Sequence, residues 1–170
     1  MKIVLIGFMG SGKSTIGAQL AEQLGYTFVD LDSLLLQQNP SFGDIAEIFT
    51  KHGEDHFRAL ERACVRSQRE AQQTVISTGG GSIIQPENIE QLRAHGGLLI
   101  YLDTSFAIIQ QRIGTETSTR PLFMDVDKAK TLYNTRRQLY EDAADITIQT
   151  DTSTPQEVCR HILSQLKALT

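Results

Sequence analysis

The fold is decided by one stretch near the start of the chain, Gly7-Phe8-Met9-Gly10-Ser11-Gly12-Lys13-Ser14. It matches the pattern G-x-x-x-x-G-K-[ST], in which glycines let backbone N–H groups close around phosphate oxygens. A continuous apolar run, Lys2–Ile6, precedes it, and an apolar helical stripe follows over residues 15–24. A strand, this loop and a helix therefore occur in the order that points the positive end of a helix at a bound anion. The stretch predicts binding of a nucleoside triphosphate.

Individual positions of this loop have predicted roles in holding ATP. The expected nucleotide-binding residues are Gly10, Ser11, Gly12, Lys13, Ser14 and Thr15. Lys13 is expected to reach the β- and γ-phosphates, and the Ser14 hydroxyl is expected to ligate Mg²⁺. The motif does not identify the group that accepts the phosphate.

Strands and helices alternate along the rest of the chain. Apolar patterns predict strands at 26–29, 74–77, 98–102 and 146–148, and helices at 86–95, 104–113, 125–142 and 154–169, with residues 32–70 helical but interrupted near Asn39-Pro40 and Gly53. This alternation is typical of βαβ units and a mostly parallel sheet. Residues 114–124 are polar and lack periodicity, which is expected of a solvated loop or of a mobile lid.

Length and composition limit the classes of protein that the chain can belong to. Its 170 residues, 40% hydrophobic and 21% charged, fit one globular domain and exclude a disordered chain, a collagen and a disulfide scaffold. The net charge of −4 argues against nucleic acid as a partner. No apolar run is long enough for a membrane span or a signal peptide, and the two cysteines lie far apart, so we expect a cytoplasmic protein without a membrane partner.

A phosphate loop also needs a carboxylate for Mg²⁺ at the end of a strand, and two places compete for that role. Asp103 follows the apolar run at 98–102, but it directly precedes a helix, which favours an N-cap. Asp30 and Asp32 follow the second strand, where residues i and i+2 share one face. One of these carboxylates would face the metal and the other an acceptor hydroxyl. An Asx turn and an N-cap for a helix at 33–38 explain the pair equally well.

Several segments together resemble the shikimate kinases in order and spacing. Besides the phosphate loop they are Asp30-x-Asp32, Gly53-Glu54-x-x-Phe57-Arg58-x-x-Glu61, Thr78-Gly79-Gly80-Gly81, Arg120-Pro121-Leu122 and Arg136-x-x-Leu139-Tyr140. The likeness runs from residue 1 to about residue 150. The phosphate loop is shared with many proteins, whereas the F-R-x-x-E segment combined with the triple glycine and R-x-x-L-Y is far more specific.

The resemblance implies a fold and a reaction. The fold would be a three-layer α/β P-loop kinase domain over residues 1–170, with a five-stranded parallel sheet in the order 2-3-1-4-5, a substrate-binding region at 32–62 and a lid at 112–124. The reaction would transfer the γ-phosphate of ATP, with Mg²⁺, to the 3-hydroxyl of shikimate, giving 3-phosphoshikimate and ADP on the way to chorismate and the aromatic amino acids. We expect a monomer.

The same resemblance implies roles for single residues. Asp30 would lie near Mg²⁺, and Asp32 would bind the shikimate hydroxyls and act as a base. Arg58 and Arg136 would grip the shikimate carboxylate, and Gly79, Gly80 and Gly81 would line the pocket. Arg120 of the lid would reach the ATP phosphates, and Arg112 would stack near adenine. The expected catalytic residues are Lys13, Asp32 and Arg120.

The residues by themselves leave alternatives open. Without the resemblance, Arg58 reads as an exposed helix residue paired with Glu54 or Glu61, and Arg136 as part of a solvated helix face. A kinase of another small polyol acid, such as gluconate, would keep the phosphate loop without needing this set of arginines. A non-catalytic nucleotide-dependent switch would bind ATP and phosphorylate nothing, although the intact Lys13, Asp30 and Asp32 argue against it.

Overall fold

The computed structural model describes residues 1–114 and 125–169. Its sheet contains five strands: β1 (Lys2–Ile6), β2 (Thr27–Asp30), β3 (Thr74–Ser77), β4 (Gly97–Asp103) and β5 (Ile146–Gln149). All four neighbouring pairs are parallel, and the strand order is β2-β3-β1-β4-β5. The predicted parallel α/β class and the strand order that the family resemblance implies are therefore confirmed.

Seven helices connect and cover these strands within the described residues. They are α1 (Lys13–Leu24), α2 (Leu31–Gln38), α3 (Ile45–Ser67), α4 (Pro86–Arg93), α5 (Phe106–Ile113), α6 (Val126–Ala143) and α7 (Pro155–Ala168), with one 3₁₀ turn at Ser82–Ile84. α3 is kinked at Gly53, whose φ of 82° lies in the left-handed region, and this is the interruption that the sequence predicted. No helix of the described residues is both long and apolar enough to cross a membrane.

The side chains of β1 divide the core into two halves. Val4 and Ile6 point to the face covered by α3, α4, α5 and α6, whereas Ile3 and Leu5 point to the face covered by α1 and α7. All five residues of β1 are buried, because a parallel sheet covered on both faces leaves neither side of its central strand in water. The result is the three-layer arrangement expected from the sequence.

Parallel pairing brings distant parts of the chain to one edge of the sheet. The phosphate loop follows β1, Asp30 ends β2, and the triple glycine follows β3. β3 lies between β2 and β1, so these three carboxyl ends are adjacent in space. In open α/β sheets, ligands bind in the crevice outside these carboxyl ends.

Candidate active site

The phosphate loop holds its lysine close to its own backbone. Gly10 and Gly12 have φ values of 77° and 92°, which a residue with a Cβ adopts only under strain. α1 begins at Lys13 immediately after this turn, so its first N–H groups point into the loop. The Lys13 Nζ donates to the carbonyl oxygens of Gly7 at 2.8 Å and of Phe8 at 3.0 Å. The ammonium is therefore held at the phosphate-binding turn.

Ser14 and Asp30 lie together at the edge of the sheet. The Ser14 hydroxyl donates to Asp30 Oδ2 at 2.7 Å and lies 3.3 Å from the Ser77 hydroxyl. The other oxygen of the same carboxylate, Oδ1, accepts from the backbone N–H of Ser33 and caps α2. The N-cap interpretation of Asp30 is thus confirmed, and the second carboxylate oxygen, Oδ2, faces the Ser14 hydroxyl. Hydroxyl and carboxylate oxygens are the donors that Mg²⁺ prefers.

Asp32 does not lie on a strand, which corrects the i, i+2 argument. β2 ends at Asp30, and Asp32 lies in the first turn of α2. Both carboxylates nevertheless line one cleft. The pKa of Asp32 is raised to about 6, and burial is the largest cause. The neighbouring carboxylates of Asp30 and Glu61 also raise this pKa. The cations of Lys13 and Arg58 lower it, but by less. Asp32 is therefore a proton acceptor suited to a pH near neutrality.

Asp103 caps no helix, so its predicted N-cap role is wrong. It remains in β4, because the strand pairs with β5 as far as Asp103 opposite Gln149. The cap of α5 is Ser105, whose side chain accepts from the N–H of Ile108. The Asp103 carboxylate instead accepts from the Tyr101 hydroxyl at 3.0 Å and from Gln149 Nε2 at 2.6 Å. These bonds hold β4, β5 and the ring of Tyr101 together.

Arg58 belongs to a buried hydrogen-bonded network. Its Nη1 donates to Glu61 Oε2 at 2.8 Å, and the Ser82 hydroxyl donates to Glu61 Oε1 at 2.6 Å. The helix pairing considered from the sequence is present, since Glu54 also lies 3.4 Å from Arg58 Nη2. The exposure expected of such a pair is wrong, because only 10% of the Arg58 side chain and 3% of the Glu61 side chain are accessible.

Arg136 is also buried, so the interpretation that it lies on a solvated helix face is wrong. Its Nε has no hydrogen-bond partner among the described residues. Burial lowers the pKa of Arg136, and the nearby Arg58 cation lowers it further. The interaction with Tyr140 opposes both effects. The next residue, Arg137, does follow the surface pattern, because it is half-exposed and pairs with Glu141 at 3.0 Å. A buried guanidinium with an unpaired N–H is a group that an anionic ligand can satisfy.

The three consecutive glycines each face a different site residue. A Cβ on Gly79 would lie 3.1 Å from Asp32 Oδ1, and one on Gly80 would lie 3.7 Å from Arg136 Nη1. A Cβ on Gly81 would lie 2.7 Å from Arg58 Nη1, closer than real Cβ contacts allow. Close approach therefore requires glycine at position 81, beside Arg58, and leaves little room for a side chain at position 79, beside Asp32, whereas a Cβ at position 80 would make ordinary contacts.

A cleft beside the phosphate loop and the two aspartates has a volume of about 340 Å³, within the range of small-molecule sites, and its lining does not include Arg58, Gly81 or Arg136. Its walls include Gly10, Gly12, Lys13, Ser14, Thr15, Asp30, Asp32, Gly79, Gly80 and Arg112.

Arg112 also borders a second depression with Thr150 and Pro155, and its Nη2 donates to the Thr150 carbonyl at 3.3 Å. The Ser11 side chain is buried in the body of the protein rather than exposed in the cleft. Arg120 and most of the predicted lid lie outside the described residues.

Three residues of the site had no role assigned from the sequence. In the sequence, Glu61 is part of the F-R-x-x-E segment and a possible partner of Arg58, without an assigned role in the site. Its i+3 position predicted the hydrogen bond to Arg58 that the structure contains. Tyr140 is named from the sequence only as the last residue of the R-x-x-L-Y segment. In the structure its hydroxyl donates to the Gly80 carbonyl. Ser77 had only a weak signal, since it is a polar residue at the carboxyl end of the buried strand β3.

A phosphate loop that faces two aspartates and a pair of buried arginines defines a P-loop kinase of a small molecule. Comparisons with known proteins agree with this class. A sequence model described as shikimate kinase matches residues 9–167. The chain is 38% identical to a shikimate kinase of Synechococcus sp. (strain CC9605) over 170 residues, covering 98% of this chain and 83% of that protein. The chain belongs to the shikimate kinase family.

Solved structures show the same relationship. A shikimate kinase from Acinetobacter baumannii, in complex with shikimate, superimposes with a TM-score of 0.90 at 33% identity, over 99% of this chain and 94% of that one. A gluconokinase from Sinorhizobium meliloti has a TM-score of 0.66 at 23% identity, over 99% of this chain and 92% of that one, a likeness of fold alone. The fold is therefore shared by kinases with different acceptors, and the acceptor must be argued from the site.

Proposed function

We propose that this protein transfers the γ-phosphate of ATP to the 3-hydroxyl of shikimate, giving 3-phosphoshikimate and ADP. The observation that carries the proposal is the pair of buried arginines beside the triple glycine, one of them with an unpaired Nε. Shikimate has one carboxylate, and a planar guanidinium binds a carboxylate with two parallel hydrogen bonds. The arginine pair, the glycines and Asp32 together match a small acid that also carries hydroxyl groups.

The nucleotide would bind with its phosphates in the loop of residues 7–14. Backbone N–H groups, the N-terminus of α1 and Lys13 would hold the β- and γ-phosphates. The depression beside Arg112, Thr150 and Pro155 adjoins that loop through Gly12 and Thr15, which supports binding of the adenine ring there. Arg120 is proposed to add positive charge at the transferred phosphate, as the family resemblance implies.

Mg²⁺ fits the oxygen donors that meet at the carboxyl edge of the sheet. Ser14 and Asp30 would hold it, since their side-chain oxygens are already neighbours. When bound, the ion would neutralise charge on the β- and γ-phosphate oxygens. The proposal therefore gives the metal role to Asp30 rather than to Asp32.

Asp32 would orient the acceptor hydroxyl and take its proton. With a pKa of about 6 its carboxylate is ionised at neutral pH, yet basic enough to accept a proton from a hydroxyl that is attacking phosphorus. Gly79 brings the backbone close to Asp32 Oδ1, which leaves room for a sugar-like ring rather than a side chain. Proton transfer and hydroxyl alignment would therefore occur on the same wall of the cleft.

Arg58 and Arg136 would bind the acceptor carboxylate unequally. Arg58 already shares its charge with Glu61 at 2.8 Å, whereas Arg136 has a guanidinium nitrogen without a partner. Arg136 is therefore expected to contribute most of the uncompensated positive charge. A single uncompensated cation suits a monocarboxylate.

The test is a coupled ADP-release assay that compares shikimate with its methyl ester. The ester removes the negative charge and leaves the buried guanidinium groups without their partner, which costs roughly 2–5 kcal/mol, or about 30- to several-thousand-fold in kcat/KM. In Arg136→Ala the acid and the ester should differ far less. Equal rates for acid and ester in the wild type would contradict carboxylate recognition, and ATP turnover that ignores shikimate or occurs only with gluconate would identify another function.

A further inference from the structure

Tyr140 occupies an unusual place beside the arginine pair. It lies one helical turn after Arg136 on α6, and only 1% of the residue is exposed. Its hydroxyl donates to the Gly80 carbonyl oxygen at 2.5 Å. Its ring stacks on Tyr101, with centroids 5.2 Å apart and planes 24° apart. The ring is therefore held by packing, and the hydroxyl by a bond to the wall of the cleft.

The hydroxyl and the guanidinium face the same glycine. A Cβ on Gly80 would lie 3.7 Å from both Tyr140 Oη and Arg136 Nη1. A phenol has a single proton, and here that proton goes to Gly80, so the lone pairs of its oxygen remain for the Arg136 N–H groups. The interaction with Tyr140 also opposes the lowering of the Arg136 pKa by burial, as expected when the hydroxyl oxygen faces the guanidinium. The hydroxyl thus joins a cationic side chain to the backbone of the glycine loop.

We propose that Tyr140 is a positioning residue for the acceptor carboxylate, because its hydroxyl fixes the orientation of the Arg136 guanidinium relative to Gly80. The proposal rests on the proposed function only in taking a carboxylate as the ligand of Arg136. A guanidinium recognises a carboxylate through its plane, so its orientation matters as well as its charge. Within residues 1–114 and 125–169 the Arg136 Nε has no hydrogen-bond partner, so this nitrogen does not hold the plane of the guanidinium.

α6 supplies a matched control in Tyr133, one turn before Arg136. Tyr133 is buried too, and its hydroxyl donates to the Thr104 carbonyl at 2.9 Å. Its ring packs edge-on against Phe8 at 5.4 Å, a contact that a phenylalanine would keep. Tyr133→Phe and Tyr140→Phe therefore each remove one tyrosine-to-carbonyl hydrogen bond from the same helix, and only the second bond adjoins Arg136.

The experiment measures steady-state kinetics of both variants with shikimate at saturating MgATP. Tyr140→Phe should raise KM for shikimate roughly 10-fold, the effect of losing a hydrogen bond to a charged group, with kcat changed by less than about 3-fold and KM for ATP unchanged. The preference for the acid over the methyl ester should fall by a similar factor. Tyr133→Phe should keep the wild-type KM for shikimate. In an Arg136→Ala background, Tyr140→Phe should raise KM no further.

Several outcomes would overturn the proposal. They are an unchanged KM in Tyr140→Phe, an equal rise in Tyr133→Phe, and a full further rise in the Arg136→Ala background. A Tyr140→Phe protein that does not fold, when Tyr133→Phe folds, would also overturn it, because the hydroxyl would then be needed for structure. If the wild type phosphorylates shikimate, each of these results leaves the proposed function intact; a wild type that does not phosphorylate it would refute both.

Discussion

Replacing Asp32 by Asn should make the folded protein more stable while abolishing its activity. The Asp32 carboxyl is half-buried beside two other carboxylates, and its pKa rises from 3.8 to about 6. A shift of about two pH units corresponds to roughly 3 kcal/mol of unfavourable free energy for the ionised form. Asn has almost the same shape and carries no charge, so the substitution removes that cost and also removes the proton acceptor.

The size of the stabilisation depends on pH. A carboxyl whose pKa is raised by folding binds its proton more tightly in the folded than in the unfolded chain. Its contribution to stability is therefore largest below about pH 4, declines as the pH rises to about 6, and stays at its reduced level above that. Asp32→Asn should gain up to about 3 kcal/mol at pH 8, or about 6–12 °C in Tm for a chain of this size, and almost nothing at pH 4.

Circular dichroism measures this gain as the difference in Tm between the wild type and the variant. The thermal unfolding curves are recorded at pH 4, 6 and 8 without ligands. Asp103→Asn is the control, because that carboxylate is buried but fully used by Tyr101 and Gln149, so its loss should lower Tm. A Tm for Asp32→Asn at or below the wild-type value at pH 8 would refute the reasoning, as would a gain of equal size at pH 4. In the wild type, kcat/KM for shikimate should rise with pH through about 6, opposite to the stability.

Three further substitutions test other parts of the site. Lys13→Ala should lower kcat by orders of magnitude in a folded protein, because Lys13 meets charge that develops on the transferred phosphoryl group, and near-normal turnover would remove the phosphate loop from the mechanism. Gly81→Ala should raise KM for shikimate, since its methyl group would displace the Arg58 guanidinium, whereas Gly25→Ala, which strains a left-handed residue (φ 66°) but meets no neighbouring atom, should lower stability and leave KM unchanged. Arg120→Ala should lower kcat more than it weakens shikimate binding measured by calorimetry, and the reverse ratio would contradict a role in the closed state.

Much of the fold could be predicted because its signals are local. The continuous apolar run at Lys2–Ile6 is the pattern of a strand covered on both faces, and residues 2–6 form β1. Gly25 ends α1, and Pro155 begins α7 after a capping box formed by Thr154 and Glu157. The phosphate loop is equally local, since eight consecutive residues contain its turn, its cation and its hydroxyl. The strand order came from the family resemblance, because pairing between distant strands leaves little trace in one sequence.

The acceptor half of the site was decided by tertiary structure. Sequence periodicity gives the spacing of Arg58, Glu61 and Arg136 along helices, but not which face of each helix is covered. The fold packs α3 and α6 against the triple glycine, which buries both arginines, leaves one guanidinium nitrogen unpaired and brings Tyr140 to Gly80. The same packing raises the pKa of Asp32, because burial and neighbouring carboxylates act through space. The sequence by itself determined where phosphate can bind, whereas the charge and shape offered to the acceptor arise only when β2, β3, α3 and α6 meet at one edge of the sheet.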